Sequence, residues 1–111
     1  MARYQYFILS RPKPGREAEF EDWYDNVHLG DVCKVDGVVG ATRYRIDHTV
    51  FGAQLPSPGW TCLAIYEVES DNPKAVMDAI SAAAKTPAMF VSDAIDTSNI
   101  AQLMAHKVAE A

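Results

Sequence analysis

The amino-acid sequence predicts a single α+β domain, in which helices pack on an antiparallel sheet. Segments with strand and helix character follow one another in the order strand, helix, strand, strand, helix, before a tail whose type the residues leave open. The first and third strand segments are apolar on both faces, as central strands of a covered sheet are. The 111 residues, 49% of them hydrophobic and 23% charged, have the length and composition of one globular domain, residues 1–111.

Prolines separate the first strand from the first helix. The run ARYQYFILSRP is rich in Tyr, Phe, Ile and Leu and stops at Pro12 and Pro14, which indicates a strand leaving its sheet. From Gly15 the segment GREAEFEDWYDNVH opens with acids, which favour a helix N-terminus. Gly30 and Gly37 are predicted to end this helix and turn the chain, with room for a short helical turn between them. Its apolar residues recur at helical spacing: Phe20, Trp23, Tyr24 and Val27.

Two further strands and a second helix follow. VVGATRYRID and WTCLAIYEVES, both β-branched and aromatic, predict the second and third strands. The segment HTVFGAQLPSPG between them is too long for a tight hairpin and could be a functional flap. Asn72 and Pro73 predict a helix start, and Thr86 and Pro87 its end. The segment KAVMDAISAAAK carries one apolar face: Val76, Ala79, Ile80 and Ala83.

The tail SNIAQLMAHKVAEA supports two assignments. By propensity it is helical, with Ser98 as a cap and Ile100, Leu103 and Met104 at helical offsets. A strand would place Asn99, Ala101, Leu103 and Ala105 on one side. If the tail is a strand, the element order is that of a ferredoxin-like split βαβ fold, in which the first and third strands are the central pair.

The two central strands carry apolar residues on both faces. Two helices cover only one face of a four-stranded sheet, so the second face should be buried elsewhere, most simply against the same face of a second copy. The alternative is that these apolar groups are tolerated in water. The third strand carries Trp60, Cys62, Ala64, Tyr66 and Val68 on one face and Leu63 and Ile65 on the other, and the first strand carries Tyr4, Tyr6 and Ile8 on one face and Phe7 and Leu9 on the other.

Charge and motifs exclude several functions. The net charge of −5 repels nucleic acid and anionic lipid, and no apolar run is long enough to span a membrane, so we expect a cytoplasmic protein. Cys33 and Cys62 are too far apart for a metal or redox motif and are expected to be reduced. His28 lacks a second histidine at ligand spacing, no haem motif is present, and no glycine-rich phosphate loop occurs. We therefore predict no metal and no cofactor.

The segment FEDWYDNVHLGDVCKVDGVVGATRYRI resembles the dimeric α+β barrel superfamily, specifically its EthD-like and related small members. These have an aromatic first helix, a His followed by Pro or Leu, a PG pair and an Arg-containing second strand. This chain departs from the pattern at Gly30 and in having VDG for PG. The resemblance implies a ferredoxin-like protomer with a four-stranded sheet, closed by a strand near residues 98–107. It also implies a homodimer packed sheet to sheet into a barrel, and a pocket between sheet and helices.

His28 is the first candidate for chemistry. Four-residue and three-residue spacings place Tyr24 and Asp31 on its side of the helix, whereas Trp23 and Val27 are predicted to form the buried face. Such a set suits acid/base catalysis, because a carboxylate orients the imidazole and a phenol supports an enolate oxygen. The structural alternative is a histidine that caps the helix end. In the family that the chain resembles, the matching histidine lies near the pocket.

Aromatic residues are the candidates for substrate binding. They would suit a flat, apolar or aromatic ligand, although each could equally be a core residue. Arg43 is predicted to point outward with Arg45, paired to Glu67 or Glu69, or to hold an anionic substrate group. The aromatic set is Tyr6, Trp23, Tyr44, Phe51, Trp60, Tyr66 and Phe90.

The leading hypothesis is a small cofactor-independent enzyme of the EthD-like kind, an isomerase, lyase or cyclase. Its substrate would be an aromatic, quinone-like or polyketide-like metabolite, from which His28 abstracts a proton next to a carbonyl. The alternatives are a non-catalytic metabolite-binding or accessory module and a cofactor-free monooxygenase. Fold alone does not select among them.

Overall fold

A computed structural model describes residues 1–47 and 59–111 of the chain. The strands are β1 (Arg3–Ser10), β2 (Val38–Arg45), β3 (Cys62–Glu69) and β4 (Ala101–Ala105). The helices are α1 (Glu17–Trp23), a π-helical turn (Tyr24–His28), α2 (Leu29–Cys33) and α3 (Pro73–Ala83). The predicted flap, including Phe51, lies largely outside the described residues.

The four strands form one antiparallel sheet in the order β2-β3-β1-β4. The first and third strands are therefore the central pair, as the ferredoxin-like order predicts. Tyr6 of β1 lies opposite Tyr66 of β3 and, on its other side, Met104 of β4. The C-terminal tail is thus a strand within the range 98–107 that the resemblance implied, and its helical propensity is overridden by pairing with β1.

The first helix is longer than predicted. It runs from Glu17 to Cys33 without a break, since the residues at both junctions have right-handed helical backbone angles. Gly30 therefore does not end it, and the prediction at this position is wrong. The chain turns at Gly37, where φ is +98° and an added Cβ would lie 2.7 Å from Val76 Cγ2. A residue with a side chain would be strained here, which explains the glycine.

The π-helical turn changes which residues face the sheet. A π-turn contains one more residue than an α-turn, so the positions beyond it are rotated by about 100°. Val27, which α-helical spacing places on the buried face, is 37% exposed. Val32 is instead buried at 1% exposure, and Leu29 packs against the core. The prediction for Val27 is wrong because the sequence pattern assumes an uninterrupted α-helix.

The helix α3 agrees with its sequence signals. Asn72 caps it by accepting a hydrogen bond from the Ala75 N–H at 3.2 Å, and Pro73 occupies the first position. Val76 and Ile80 are buried, whereas Ala79 is exposed, contrary to the predicted face. The core lies between the helices and one face of the sheet. Its largest fully buried side chains are Tyr24, Tyr66, Phe20, Met89, Val32 and Val68.

The other side of the sheet is apolar and uncovered within the described chain. We call this side the open face. Tyr44 and Leu103 are 50% and 47% exposed there, and Phe7 lies between Leu103 and Ile65 in the strand register. This is the second apolar face that the sequence indicates. Its apolar side chains are Phe7, Leu9, Tyr44, Leu63, Ile65 and Leu103, and one end of the same face carries the polar pairs Arg3 with Glu69 and Gln5 with Glu67.

Candidate functional site

His28 ends the π-helical turn and packs between two aromatic rings. Its imidazole stacks on Trp23 with ring centroids 4.4 Å apart and planes 27° apart, and it meets the Tyr24 ring edge-on at 5.2 Å. An uninterrupted α-helix would place these three residues differently, because the extra residue of the π-turn sets their relative directions. Turns of this kind occur frequently at functional sites.

The His28 imidazole is neutral at physiological pH. Burial lowers its pKa from 6.5 to about 4, and the negative charge of Asp31 only partly opposes this. The Nδ1 atom is buried and has no hydrogen-bond partner among residues 1–47 and 59–111. A buried ring nitrogen without a partner is costly, typically by about 1–3 kcal/mol. The position is therefore unusual for a purely structural histidine, which would hydrogen-bond its surroundings.

Asp31 acts on His28 through charge. Its carboxylate raises the pKa of His28, but among the described residues its side chain pairs with Lys34, at 3.5 Å, and not with the imidazole. The predicted spacing therefore brings Asp31 near His28. It does not produce the hydrogen bond that would select a tautomer.

Tyr24 lies beneath the helix among buried polar groups. The hydroxyls of Ser10 and Tyr66 lie close enough to the Tyr24 hydroxyl to lower its pKa, yet burial dominates and raises it well above 10. Burial also raises the pKa of Tyr66. Neither the Ser10 nor the Tyr66 hydroxyl makes a hydrogen bond of regular geometry in the described chain. Both phenols stay protonated at neutral pH and can act as donors.

Sequence reasoning missed two members of this cluster. Ser10 and Cys62 are 0% and 1% exposed and lie opposite each other at the ends of β1 and β3. Burial raises the pKa of the Cys62 thiol. The alternation of β3 predicts that Cys62 shares a face with Tyr66. The alternation of β1 likewise places Ser10 on the face of Tyr6 and Ile8, although a serine at a strand end does not by itself indicate burial.

Arg43 has different partners from those predicted. It lies on the helix-bearing face of β2, with its side chain 12% exposed, and pairs with Glu21 and Asp25 of the first helix. Neither Glu67 nor Glu69 contacts it, since Gln5 donates to Glu67 and Arg3 pairs with Glu69. The predicted outward direction is therefore wrong, because the sequence pattern does not show which face of β2 the helix covers.

The structure brings together some of the aromatic candidates and separates others. Tyr6 and Tyr66 pack together at 5.9 Å on the helix-bearing face, where Trp23 and Tyr24 also lie. Tyr44 lies on the open face and is therefore apart from His28. Trp60 donates to the Asn99 carbonyl at 3.0 Å. Phe90 is 60% exposed, although its carbonyl accepts a hydrogen bond from the Trp23 indole at 2.9 Å.

His28 lines neither of two clefts that lie on the described part of the chain. One, of about 620 Å³, lies between the segment after β1, the start of α1 and the end of β2, and is lined by residues that include Arg11, Glu21 and Arg45. The other, of about 300 Å³, lies beside Gly37 and α3. Within residues 1–47 and 59–111, no three potential metal ligands cluster and no helix is long and apolar enough to cross a membrane.

The pKa of His28 predicts a pH-dependent stability. The folded chain resists protonation that the unfolded chain accepts below pH 6.5, so the free energy of unfolding should fall as the pH drops from 6.5 to about 4. The loss should reach up to about 3 kcal/mol. Urea unfolding at pH 7 and pH 4.5 measures it. In a His28→Gln variant the free energy of unfolding should differ much less between the two pH values. A variant at the exposed His106 should keep the wild-type difference. If the free energy of unfolding of His28→Gln depended on pH as strongly as that of the wild type, the prediction would be wrong.

Comparison with known proteins supports the fold. No family model matches the sequence, and no curated protein matches it. Among solved structures, the chain is similar to the crystal structure of an ethyl tert-butyl ether D (EthD) family protein from Bacillus halodurans, with a TM-score of 0.54. The match covers 95% of this chain and 99% of that chain, at 13% sequence identity. The EthD-like fold that the first helix and second strand predict is confirmed. At this identity the likeness concerns the fold alone.

Proposed function

We propose that the chain is a small cofactor-independent enzyme that abstracts a proton next to a carbonyl group, with His28 as the base. The observation that supports this proposal is the state of His28: a neutral imidazole, stacked on Trp23, whose buried Nδ1 has no partner in the described chain. A neutral imidazole carries one lone pair that can accept a proton. The lowered pKa weakens it as a base but keeps it unprotonated across the physiological range.

The surroundings of His28 suit a flat, apolar substrate. Trp23, Tyr24 and Tyr66 are at most 4% exposed, so a substrate would have to part these side chains. Trp23 would then offer an aromatic stack, and the two protonated phenols could donate to a developing enolate oxygen. Asp31 would stabilise the imidazolium that forms after proton transfer, since its charge already favours the protonated ring. The substrate class is an aromatic, quinone-like or polyketide-like metabolite, and the reaction class is that of an isomerase, lyase or cyclase.

We further propose that the active form is a homodimer in the cytoplasm. The open face places Phe7, Leu63 and Ile65 side by side across the two central strands, with Tyr44 and Leu103 half-exposed at its sides. Contiguous apolar surface of this kind marks an interaction site in soluble proteins. An isologous sheet-to-sheet contact would cover it in both copies and produce the α+β barrel.

Deuterium exchange tests the proposed chemistry without knowledge of the full reaction. A panel of planar carbonyl compounds is incubated with the protein in D2O, and loss of the proton next to the carbonyl is followed by NMR. We expect protein-dependent exchange for at least one aromatic or quinone-like class. Exchange only in the presence of air, with consumption of oxygen, would indicate the monooxygenase. Compounds that bind and shift the His28 resonances without exchange would indicate the binding module.

A further inference from the structure

The Arg43 guanidinium contacts the first helix on both sides of the junction between α1 and the π-helical turn. Arg43 Nε donates to Asp25 Oδ1 at 2.6 Å and its Nη2 donates to Asp25 Oδ2 at 2.9 Å, a two-pronged pairing. The same Nη2 also donates to Glu21 Oε2. Glu21 belongs to α1, and Asp25 lies one turn later in the π-helical turn. Arg43 therefore ties both sides of the junction to β2.

Arg43 has little capacity left for an anionic ligand. Arg45 Nη2 also donates to Glu21, at 3.2 Å, so two cations face the two carboxylates Glu21 and Asp25 and the cluster is neutral. The remaining Arg43 nitrogen, Nη1, lies 4.0 Å from Cys62 Sγ. The side chain is 12% exposed. Its donors are thus occupied by the protein itself.

A π-helical turn is rare and persists where its surroundings support it. The Arg43 guanidinium carbon lies 5.8 Å from the centroid of the Tyr24 ring, so the same group that holds the two carboxylates also covers the residue that begins the turn. We propose that Arg43 is a positioning residue that maintains the π-helical turn and thereby keeps the His28 imidazole on the Trp23 ring. The proposal rests on the function proposed for His28, but its test does not require turnover.

We call the pairing of Arg43 with Glu21 and Asp25 the clamp. Its loss is expected to change the winding of the helix. Without Arg43, or without Asp25, the π-helical turn loses the pairing that ties both sides of the junction to β2. The turn is then expected to relax toward α-helical winding. That change rotates the positions beyond it by about 100° and moves the His28 ring off Trp23 toward water.

The pKa of His28, measured by NMR titration of the imidazole, tests the proposal with Arg43→Gln and Asp25→Ala. By charge alone, loss of a cation raises this pKa and loss of an anion lowers it. Loss of the clamp hydrates the ring in both variants, so we expect both to raise the pKa by at least about one unit, from about 4 toward 6.5. Arg3→Gln and Glu19→Ala remove the same charges from residues that pair with Glu69 and Arg16 and not with Glu21 or Asp25, so they should leave the pKa of His28 within about half a unit.

The sign in Asp25→Ala decides the outcome. A folded Asp25→Ala with an unchanged or lowered pKa would overturn the proposal, also if Arg43→Gln fails to fold. Arg43→Lys should still raise the pKa, since an ammonium group cannot make the two-pronged pairing, and a wild-type value in that variant would also overturn it. Raised values combined with full exchange activity in His28→Asn would keep the positioning role and remove the proposed enzyme function. If the pKa of His28 is unchanged in the Arg43 and Asp25 variants while His28→Asn is inactive, the positioning role is removed and the proposed enzyme function is kept.

Discussion

Replacement of His28 by Asn is expected to slow deuterium exchange of a carbonyl substrate by about 10²- to 10⁴-fold, the usual contribution of a positioned general base. The amide of Asn can hydrogen-bond, but it cannot accept a proton at neutral pH. Trp23 and the phenols of Tyr24 and Tyr66 remain in place, so the substrate should still bind. The measurement compares exchange rates at saturating substrate with the affinity found by NMR titration. A loss in rate with little change in affinity is the expected pattern.

His106→Asn is the matched control for this experiment. His106 is exposed after β4 and contacts Tyr4 edge-on at 6.0 Å, away from the His28 cluster. It should exchange substrate at the wild-type rate. A His28→Asn protein that folds and associates like the wild type, yet exchanges substrate at full rate, would remove the proposal that His28 is the base.

Ile65→Glu is expected to convert the proposed homodimer to a monomer. Ile65 lies at the middle of β3 on the open face, opposite Phe7 of β1 and Thr42 of β2. In a symmetric contact each copy would bury a carboxylate without a partner, and the two carboxylates would lie near each other across the axis. We expect the dimer to weaken by at least about 100-fold, which corresponds to about 2.7 kcal/mol. Light scattering at micromolar concentration measures the mass of both proteins.

Val27→Glu provides the comparison for this substitution. It adds the same charge at a 37% exposed position on the first helix, away from the open face. The variant should keep the wild-type mass. A wild-type protein that scatters as a monomer at micromolar concentration would contradict the dimer, and an unchanged dimer in Ile65→Glu would place the interface elsewhere.

The sequence predicts the candidate site only in part. The candidates Tyr24 and His28, four residues apart, have their rings in edge-on contact, and Tyr6 and Tyr66 lie opposite each other on the two central strands. The direction of His28 depends on a π-helical turn, for which the segment WYDNVH carries no recognised local signal. The partners of Arg43 lie 18 and 22 residues away in the chain. Their pairing follows from how the helix crosses the sheet.

The sequence by itself determined the order of the first five elements and the presence of apolar residues on both faces of β1 and β3. These features are encoded locally, in hydrophobic periodicity, prolines and helix caps, and need no knowledge of distant contacts. The strand at Ala101–Ala105 was implied by the family resemblance and not by local propensity, and only the tertiary structure decided the continuation of the helix through Gly30 and the winding that turns Val27 outward and His28 onto Trp23. Each of these depends on contacts between segments far apart in the chain, which override local propensity because they bury more apolar surface and pair more charges.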